Sequence, residues 1–288
     1  MRPVVVFLVV AAAALPASAQ RPKKMPPVDT SAVIVFRKTD RSKVMGRVVA
    51  ADDSSLSLMT LEQSPVVLRH DSVADWRKRP GAWTAAGFRP ADISTSRLFF
   101  GPTARTLERG HGYFSDYYLF IGAGGFAVHD RVLLSAGASL MEDPEHRTGA
   151  GYLAMKVGIV QRRTVAFAVG AFYASQRTVN SAWSLSHAYG VLTLGGTDHA
   201  LTVFGGLPLA SDSIARRSVY MAGGQTRVSG RLKLMTEVWR LPTKEVPAIF
   251  GVRWFGDQFT IEVGEIHTFG SLHPSRPSWV PWVGASIP

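Results

Sequence analysis

Val132-Leu133-Leu134-Ser135-Ala136-Gly137-Ala138-Ser139-Leu140-Met141 puts Val132, Leu134, Ala136, Ala138 and Leu140 on one side of an extended chain and Ser135, Gly137 and Ser139 on the other. Side chains of a strand point alternately to its two faces, so this period of two reads as a strand with one apolar side. The pattern recurs at Leu153, Met155, Val157 and Ile159, again at Val165, Phe167, Val169, Ala171 and Tyr173, and later at Leu232, Leu234 and Val238. Phe250, Val252 and Trp254 face away from Gly251 and Arg253, and Phe259, Ile261 and Val263 face away from Thr260, Glu262 and Gly264. Weaker versions cover Trp183–Leu194, Leu201–Leu207 and Val219–Gln225.

The connections alternate in length. Short turns fall at His129–Arg131, Gln161–Arg163, Gly195–Thr197, around Arg227–Gly230 and at Gly256–Asp257. Longer polar stretches fall between them at Glu142–Ala150, Ala174–Ala182, Pro208–Arg217, Leu241–Pro247 and His267–Ser278. Closed up-and-down barrels of outer membranes have this rhythm, with tight turns inside and long loops outside. Counting Tyr117–Val128 as one strand gives about eleven, and Arg97–Thr103, joined to it by the long stretch Ala104–Asp116, supplies a twelfth, which places both chain ends on the same side.

The expected fold is therefore all-β: a small N-terminal SH3-like barrel followed by an antiparallel up-and-down transmembrane barrel of about 12 strands, within a range of 10–12. Charges in mid-strand are tolerable toward a polar lumen and costly toward hydrocarbon, so Lys156, Lys233, Glu237, Arg253 and Glu262 are assigned to the lumen. Aromatic residues near strand ends, among them Tyr113, Phe114, Tyr117, Tyr118, Tyr173, Trp183, Trp239, Trp254, Trp279 and Trp282, suit the headgroup zone. The competing reading is a secreted soluble β-protein, a sandwich or lipocalin-like barrel with its charged face outside that binds an apolar ligand.

The N-terminus supports export. Arg2 precedes the unbroken apolar run Val4–Ala14, and Ala17-Ser18-Ala19 offers a small-residue cleavage site. This run is shorter than the ~20 residues of a membrane-spanning helix. The organisation reads as a signal peptide at 1–19, a linker at 20–31, a small periplasmic β module at 32–79, a linker at 80–95 and the barrel at 96–288. The module shows strand candidates at Val33–Arg37, Val44–Ala50, Ser55–Leu61 and Val66–Leu68, with Asp52-Asp53-Ser54-Ser55 as a turn. In length and pattern it resembles SH3- or Sm-like small barrels, a resemblance that implies binding of peptides, RNA or other proteins, of which export leaves a periplasmic protein or peptide, peptidoglycan or self-association. The chain has 288 residues, a formal net charge of +11, 27 Gly and 0 Cys. The absence of Cys excludes disulfides, thiolate metal sites and a Cys nucleophile. The basic residues are dispersed among turns, and with export they argue against a nucleic-acid partner.

Arg97-Leu98-Phe99-Phe100-Gly101-Pro102-Thr103-Ala104-Arg105, with Gly110-His111-Gly112-Tyr113-Phe114-Ser115-Asp116-Tyr117-Tyr118-Leu119-Phe120, resembles the opening of a family of uncharacterised bacterial outer-membrane β-barrel proteins. The resemblance implies a barrel in the outer membrane, outer-membrane lipids and the barrel assembly machinery as partners, and no established activity. Many such barrels end in an aromatic residue, whereas this chain ends Ile287-Pro288.

No motif points firmly to chemistry. Gly122-Ala123-Gly124-Gly125-Phe126-Ala127 has the letters of a dinucleotide-binding loop but lacks the helix that must follow to hold a pyrophosphate. Asp143-Pro144-Glu145-His146 reads as a solvated loop tip rather than a cation site. Ser184, Ser186, His187 and His199 are the candidates for a lipid hydrolase, yet both serines face away from His187 on an extended strand. The expected function is a non-enzymatic outer-membrane protein, without catalytic residues, cofactor or metal, engaged in passive small-solute passage or in envelope structure and scaffolding. The alternative is an enzyme acting on lipid or glycolipid.

Overall fold

The computed structural model describes residues 33–60, 62–84, 87–139, 149–179, 182–209, 218–241, 246–256, 259–269 and 279–288. The expected signal peptide (1–19), the linker at 20–31 and the Asp143–His146 loop lie outside the described residues. The chain divides into two compact units, Met1–Arg79 and Pro80–Pro288.

The first unit is a five-stranded antiparallel sheet of β1 (Val33–Lys38), β2 (Lys43–Ala51), β3 (Ser55–Thr60), β4 (Pro65–Arg69) and β5 (Val73–Arg79), in the order β4-β3-β2-β1-β5. Ile34, Phe36, Val48, Leu56, Leu58 and Leu68 form its core. The sequence pattern shows four of these strands; the fifth, Val73–Arg79, pairs with β1 at the sheet edge. Its Arg77, Lys78 and Arg79 hide the strand signal, yet charges are a common way of protecting an edge from further pairing. The β2–β3 turn is held by Asp52, whose carboxylate accepts the backbone N–H groups of Ser54 (2.8 Å) and Ser55 (2.7 Å) and both serine hydroxyls.

The second unit begins with a hairpin, β6 (Gly81–Thr84) and β7 (Gly87–Pro90), inside the stretch expected to be a linker. It continues into twelve strands: β8 (Gly112–Tyr117), β9 (Ile121–His129), β10 (Val132–Ser139), β11 (Gly149–Gln161), β12 (Val165–Arg177), β13 (Ala182–Gly195), β14 (His199–Pro208), β15 (Val219–Ser229), β16 (Leu232–Arg240), β17 (Val246–Phe255), β18 (Thr260–Phe269) and β19 (Trp279–Ile287). Each pairs antiparallel with its sequence neighbours, and β19 pairs with β8, closing the barrel.

The count of twelve is as expected, but its composition differs. Arg97–Thr103 is not a barrel strand. The strand expected at Tyr117–Val128 corresponds to β9 (Ile121–His129), which a turn precedes with Phe120 N–H on Tyr117 C=O, and β8 lies in the stretch Ala104–Asp116 expected to be a long connection. The turns 130–131, 162–164, 196–198 and 230–231, with the strand ends Phe255 and Thr260, lie at one end of the barrel, where β8 begins and β19 finishes. At the other end are the turn 118–120 and the strand ends Ser139 and Gly149, Arg177 and Ala182, Pro208 and Val219, Arg240 and Val246, and Phe269 and Trp279.

The outer surface is apolar around the wall. Leu134, Leu153, Met155, Ile159, Phe167, Leu201, Val203, Leu234, Phe250, Val263 and Val283 are all exposed. The residues alternating with them, including Lys156, Ala166, Ala168, Val191, Met235 and Arg253, are buried within the barrel. A soluble barrel would present the opposite arrangement, since an exposed apolar belt of this extent needs a nonpolar surrounding. The aromatic assignments divide accordingly. Tyr173, Trp254 and Trp279 are exposed, while Tyr113, Tyr117 and Trp282 are buried inside rather than facing a headgroup zone.

Asp52 is ionised in the folded module because hydrogen bonds from Ser55 and Ser54 hold its carboxyl well below the usual carboxylate range. A depressed folded value contributes stability above the unfolded value and loses it as pH falls. Asp52→Ala should therefore speed amide hydrogen exchange in the β2–β3 hairpin near neutral pH, and the difference from wild type should shrink toward about pH 2.

Candidate functional site

The barrel lumen is filled by the chain that precedes it. Residues 92–105 enter from the short-turn end, turn at Leu98–Gly101 and return. Leu98 N–H donates to Gly101 C=O (2.8 Å), Thr103 N–H to Ser96 C=O (3.0 Å), and Arg97 and Pro102 form an isolated bridge. The stretch Arg97–Arg105 is thus part of a plug. Asp92 and Ser94, expected in a linker, are buried within it.

Each of the five charges assigned to the lumen is buried there, and each engages the plug. Glu237 sits beneath the turn. Its carboxylate accepts the backbone N–H groups of Phe99 (3.0 Å), Phe100 (3.1 Å) and Gly101 (3.1 Å), and the Trp239 indole N–H (3.0 Å). Successive N–H groups converging on one anion form a nest, here filled by a side chain of the wall. Lys156 performs the converse task, donating to the carbonyls of Ser96 (3.0 Å) and Thr103 (2.7 Å) on the plug's two limbs.

Arg253 links the wall to both halves of the entering limb. It donates to Asp92 Oδ2 (2.9 Å), to Leu98 C=O (2.8 Å) and to Glu262 Oε1 (2.9 Å). Lys233 also reaches Asp92, at 2.5 Å. Burial opposes the Asp92 charge, but Arg253 and Lys233 outweigh it and hold this carboxyl well below the usual carboxylate range. Glu262 receives a second guanidinium from the plug, Arg97, at 2.9 Å. Arg97 further donates to Ser115 (3.1 Å) and Ser286 (2.9 Å) and lies over the Tyr113 and Tyr117 rings. Those two serines belong to β8 and β19, so the plug side chain bridges the strands that close the barrel.

Packing completes the seal. Leu98 and Ala104 join Ala166, Ala168, Tyr189, Val191, Phe204, Val219 and Met221 in one apolar cluster. A Cβ added to Gly223 would lie 2.4 Å from Leu98 Cδ1, and one added to Gly101 would lie 2.5 Å from Met221 Cε. At these two glycines wall and plug are packed so closely that a side chain would require Leu98 or Met221 to move. At the short-turn end Ala104 N–H donates to Thr193 (2.9 Å), Gln161 donates to Ala104 C=O (2.6 Å), and Arg105 donates to the carbonyls of Arg163 and Gly195.

Other sequence candidates do not assemble into a site. His187 faces the lumen and stacks on Phe172, whereas Ser184 and Ser186 alternate to the outside; His199 bonds Thr226 on the neighbouring strand. Gly122–Ala127 lies within β9, paired on both sides, with no helix after it. Among the described residues no group of His, Asp and Glu has the arrangement of a metal site. No protein family, curated protein or solved structure matches this chain.

Sequence reasoning places the wall charges and misses their partners Asp92 and Arg97. A signal is present: five buried charges of both signs need counter-charges or dipoles, and the Arg97–Arg105 stretch carries both.

Glu237→Ala should strand the buried amides of Phe99 and Gly101 and the half-buried one of Phe100, and cost the seated plug about 3 kcal/mol. A single reporter, Ser96→Cys, is buried while the plug is seated, and the native chain has 0 Cys to compete for label. Maleimide labelling of the thiol at position 96 should accelerate roughly a hundredfold in the Glu237→Ala background. An unchanged labelling rate would show that the Glu237 nest does not hold the plug.

Proposed function

We propose that this chain is a bacterial outer-membrane barrel kept closed by its own plug, with a role in envelope structure or scaffolding rather than passive flow. The observation that carries this reading is the fit between residues 92–105 and the five lumen charges. An open solute pore would leave those charges to water, whereas here the chain itself occupies their hydrogen-bonding capacity. The apolar belt supports a bilayer surrounding, and the twelve-strand closure with short turns at the chain-entry end supports the orientation usual for outer-membrane barrels.

In this reading the short-turn end is periplasmic, residues 1–19 direct export, and the barrel assembly machinery inserts the protein. The N-terminal sheet, an SH3-like module, remains in the periplasm, where it engages a protein or peptidoglycan. The resemblance of Arg97–Phe120 to a family of uncharacterised outer-membrane barrels fits this assignment. Any solute passage through the barrel would depend on withdrawal of the plug.

Two measurements test the proposal. Purified protein should run faster on SDS gels unboiled than boiled, as closed barrels do. In planar bilayers the wild type should be electrically silent, whereas combined Asp92→Asn and Glu237→Ala substitution should give discrete openings. Steady conductance from folded wild-type protein would overturn the closed reading, and recovery in soluble fractions without detergent would overturn the membrane reading.

A further inference from the structure

The barrel wall has a low point where it closes. β8 contacts β19 only through Gly284↔Tyr117, Ala285↔Asp116, Ser286↔Ser115 and Ile287↔Phe114, so residues 279–283 run past the end of β8. On the other side, β9 begins at Ile121 opposite Ser139, the last residue of β10. Among the described residues, the turn Tyr118-Leu119-Phe120 is what stands between β19 and β10 at this height.

That turn is strained and apolar. Tyr118 (φ 57°) and Leu119 (φ 65°) both adopt the left-handed region, which bulky residues rarely enter. Such turns ordinarily use Asn-Gly. Leu119 is 79% exposed and Phe120 48%.

The edge above it is blunted rather than paired. Val283 C=O accepts Tyr118 N–H (3.2 Å), so the odd-numbered backbone groups of β19 face β8. The next such residue is Pro281, which has no N–H to offer, and its carbonyl is taken by the Tyr118 hydroxyl.

Behind the turn stands an aromatic cluster. Trp282 meets Tyr118 edge-on (5.7 Å), Tyr117 (4.9 Å), Phe100 (4.6 Å) and Phe99 (5.9 Å). Phe100, at the tip of the plug, is 49% exposed although it lies inside the barrel. Trp282 is fully buried and its Nε1–H has no acceptor among the described residues. Tyr118 thus joins the exposed apolar turn to these rings, beside an unused hydrogen-bond donor.

We propose that the Tyr118–Phe120 turn is a lateral portal through which one acyl chain bearing a carbonyl oxygen passes from the bilayer onto the Phe100–Trp282 cluster above the plug. This inference rests on the outer-membrane reading. The chain packs on the rings, and its carbonyl oxygen accepts the Trp282 N–H. The strain at Tyr118 and Leu119 favours departure of the turn from its closed position, and the plug beneath stops the chain from traversing the barrel.

The test reconstitutes the full chain in phosphatidylcholine vesicles holding either a diazirine-bearing phospholipid or a diazirine-bearing free fatty acid. After irradiation, adducts are mapped by mass spectrometry. In at least one arm, adducts are expected on Phe100, Tyr118 or Trp282 as well as on belt residues such as Leu134 and Leu201. The arm that labels them identifies esterified lipid or free acid as the source.

Phe100→Ala should lower the adducts behind the turn about tenfold, equivalent to ~1.4 kcal/mol of contact, without changing belt adducts. Trp282→Phe, which keeps a ring and removes the N–H, should lower them too, and provides the check if the first variant does not fold. Belt adducts with none behind the turn, in both arms, would overturn the portal alone. Absence of adducts from the belt as well would overturn the outer-membrane reading itself.

Discussion

Ionisable groups buried in a narrow barrel must find hydrogen-bond partners within the protein, because each loses most of its hydration on leaving water. Lys156, Lys233, Glu237, Arg253 and Glu262 all project into this lumen and are almost completely buried. The wall provides one direct pair, Arg253–Glu262. The remaining hydrogen-bonding capacity is met largely by residues 92–105: Asp92 for Lys233 and Arg253, Arg97 for Glu262, turn amides for Glu237 and limb carbonyls for Lys156. Plug and wall are thus one electrostatic unit, and neither is complete without the other.

This dependence explains the otherwise unusual local sequence. Leu98 packs against the space that a Cβ at position 223 would take, and the Met221 side chain lies where a Cβ at position 101 would stand. Arg97 extends the same logic to barrel closure. Through Ser115 and Ser286 it ties β8 to β19, the junction with the fewest paired residues relative to its neighbours' length. The plug therefore both fills the lumen and fastens the seam, while the part of the seam above it is left to a strained apolar turn.

The wall is legible in the sequence because its physics is local: alternation decides which residues face lipid and which face inward, and charges report the inward face. Hence Lys156 and Glu237 can be placed from spacing alone. The plug is not legible. Arg97–Thr103 is a short apolar run bounded by Gly-Pro, which looks the same as a strand by period and length. Tyr118-Leu119 contains none of the residues that announce a turn, so Tyr117–Val128 reads as one strand and β8 is lost in the stretch Ala104–Asp116, which reads as a connection. The two errors cancel in the count: one strand too many before the barrel and one too few at its start leave the total at twelve. Only long-range pairing separates the two arrangements.

The most direct measurement concerns the position of the plug itself. Leu98 and Gly223 are brought together only if residues 92–105 lie within the barrel, and the chain has 0 native Cys. A Leu98→Cys, Gly223→Cys variant should form an intramolecular disulfide under mild oxidation in the folded, heat-modifiable state, and not after boiling in SDS before oxidation. A folded barrel in which both introduced thiols remain free would contradict the account.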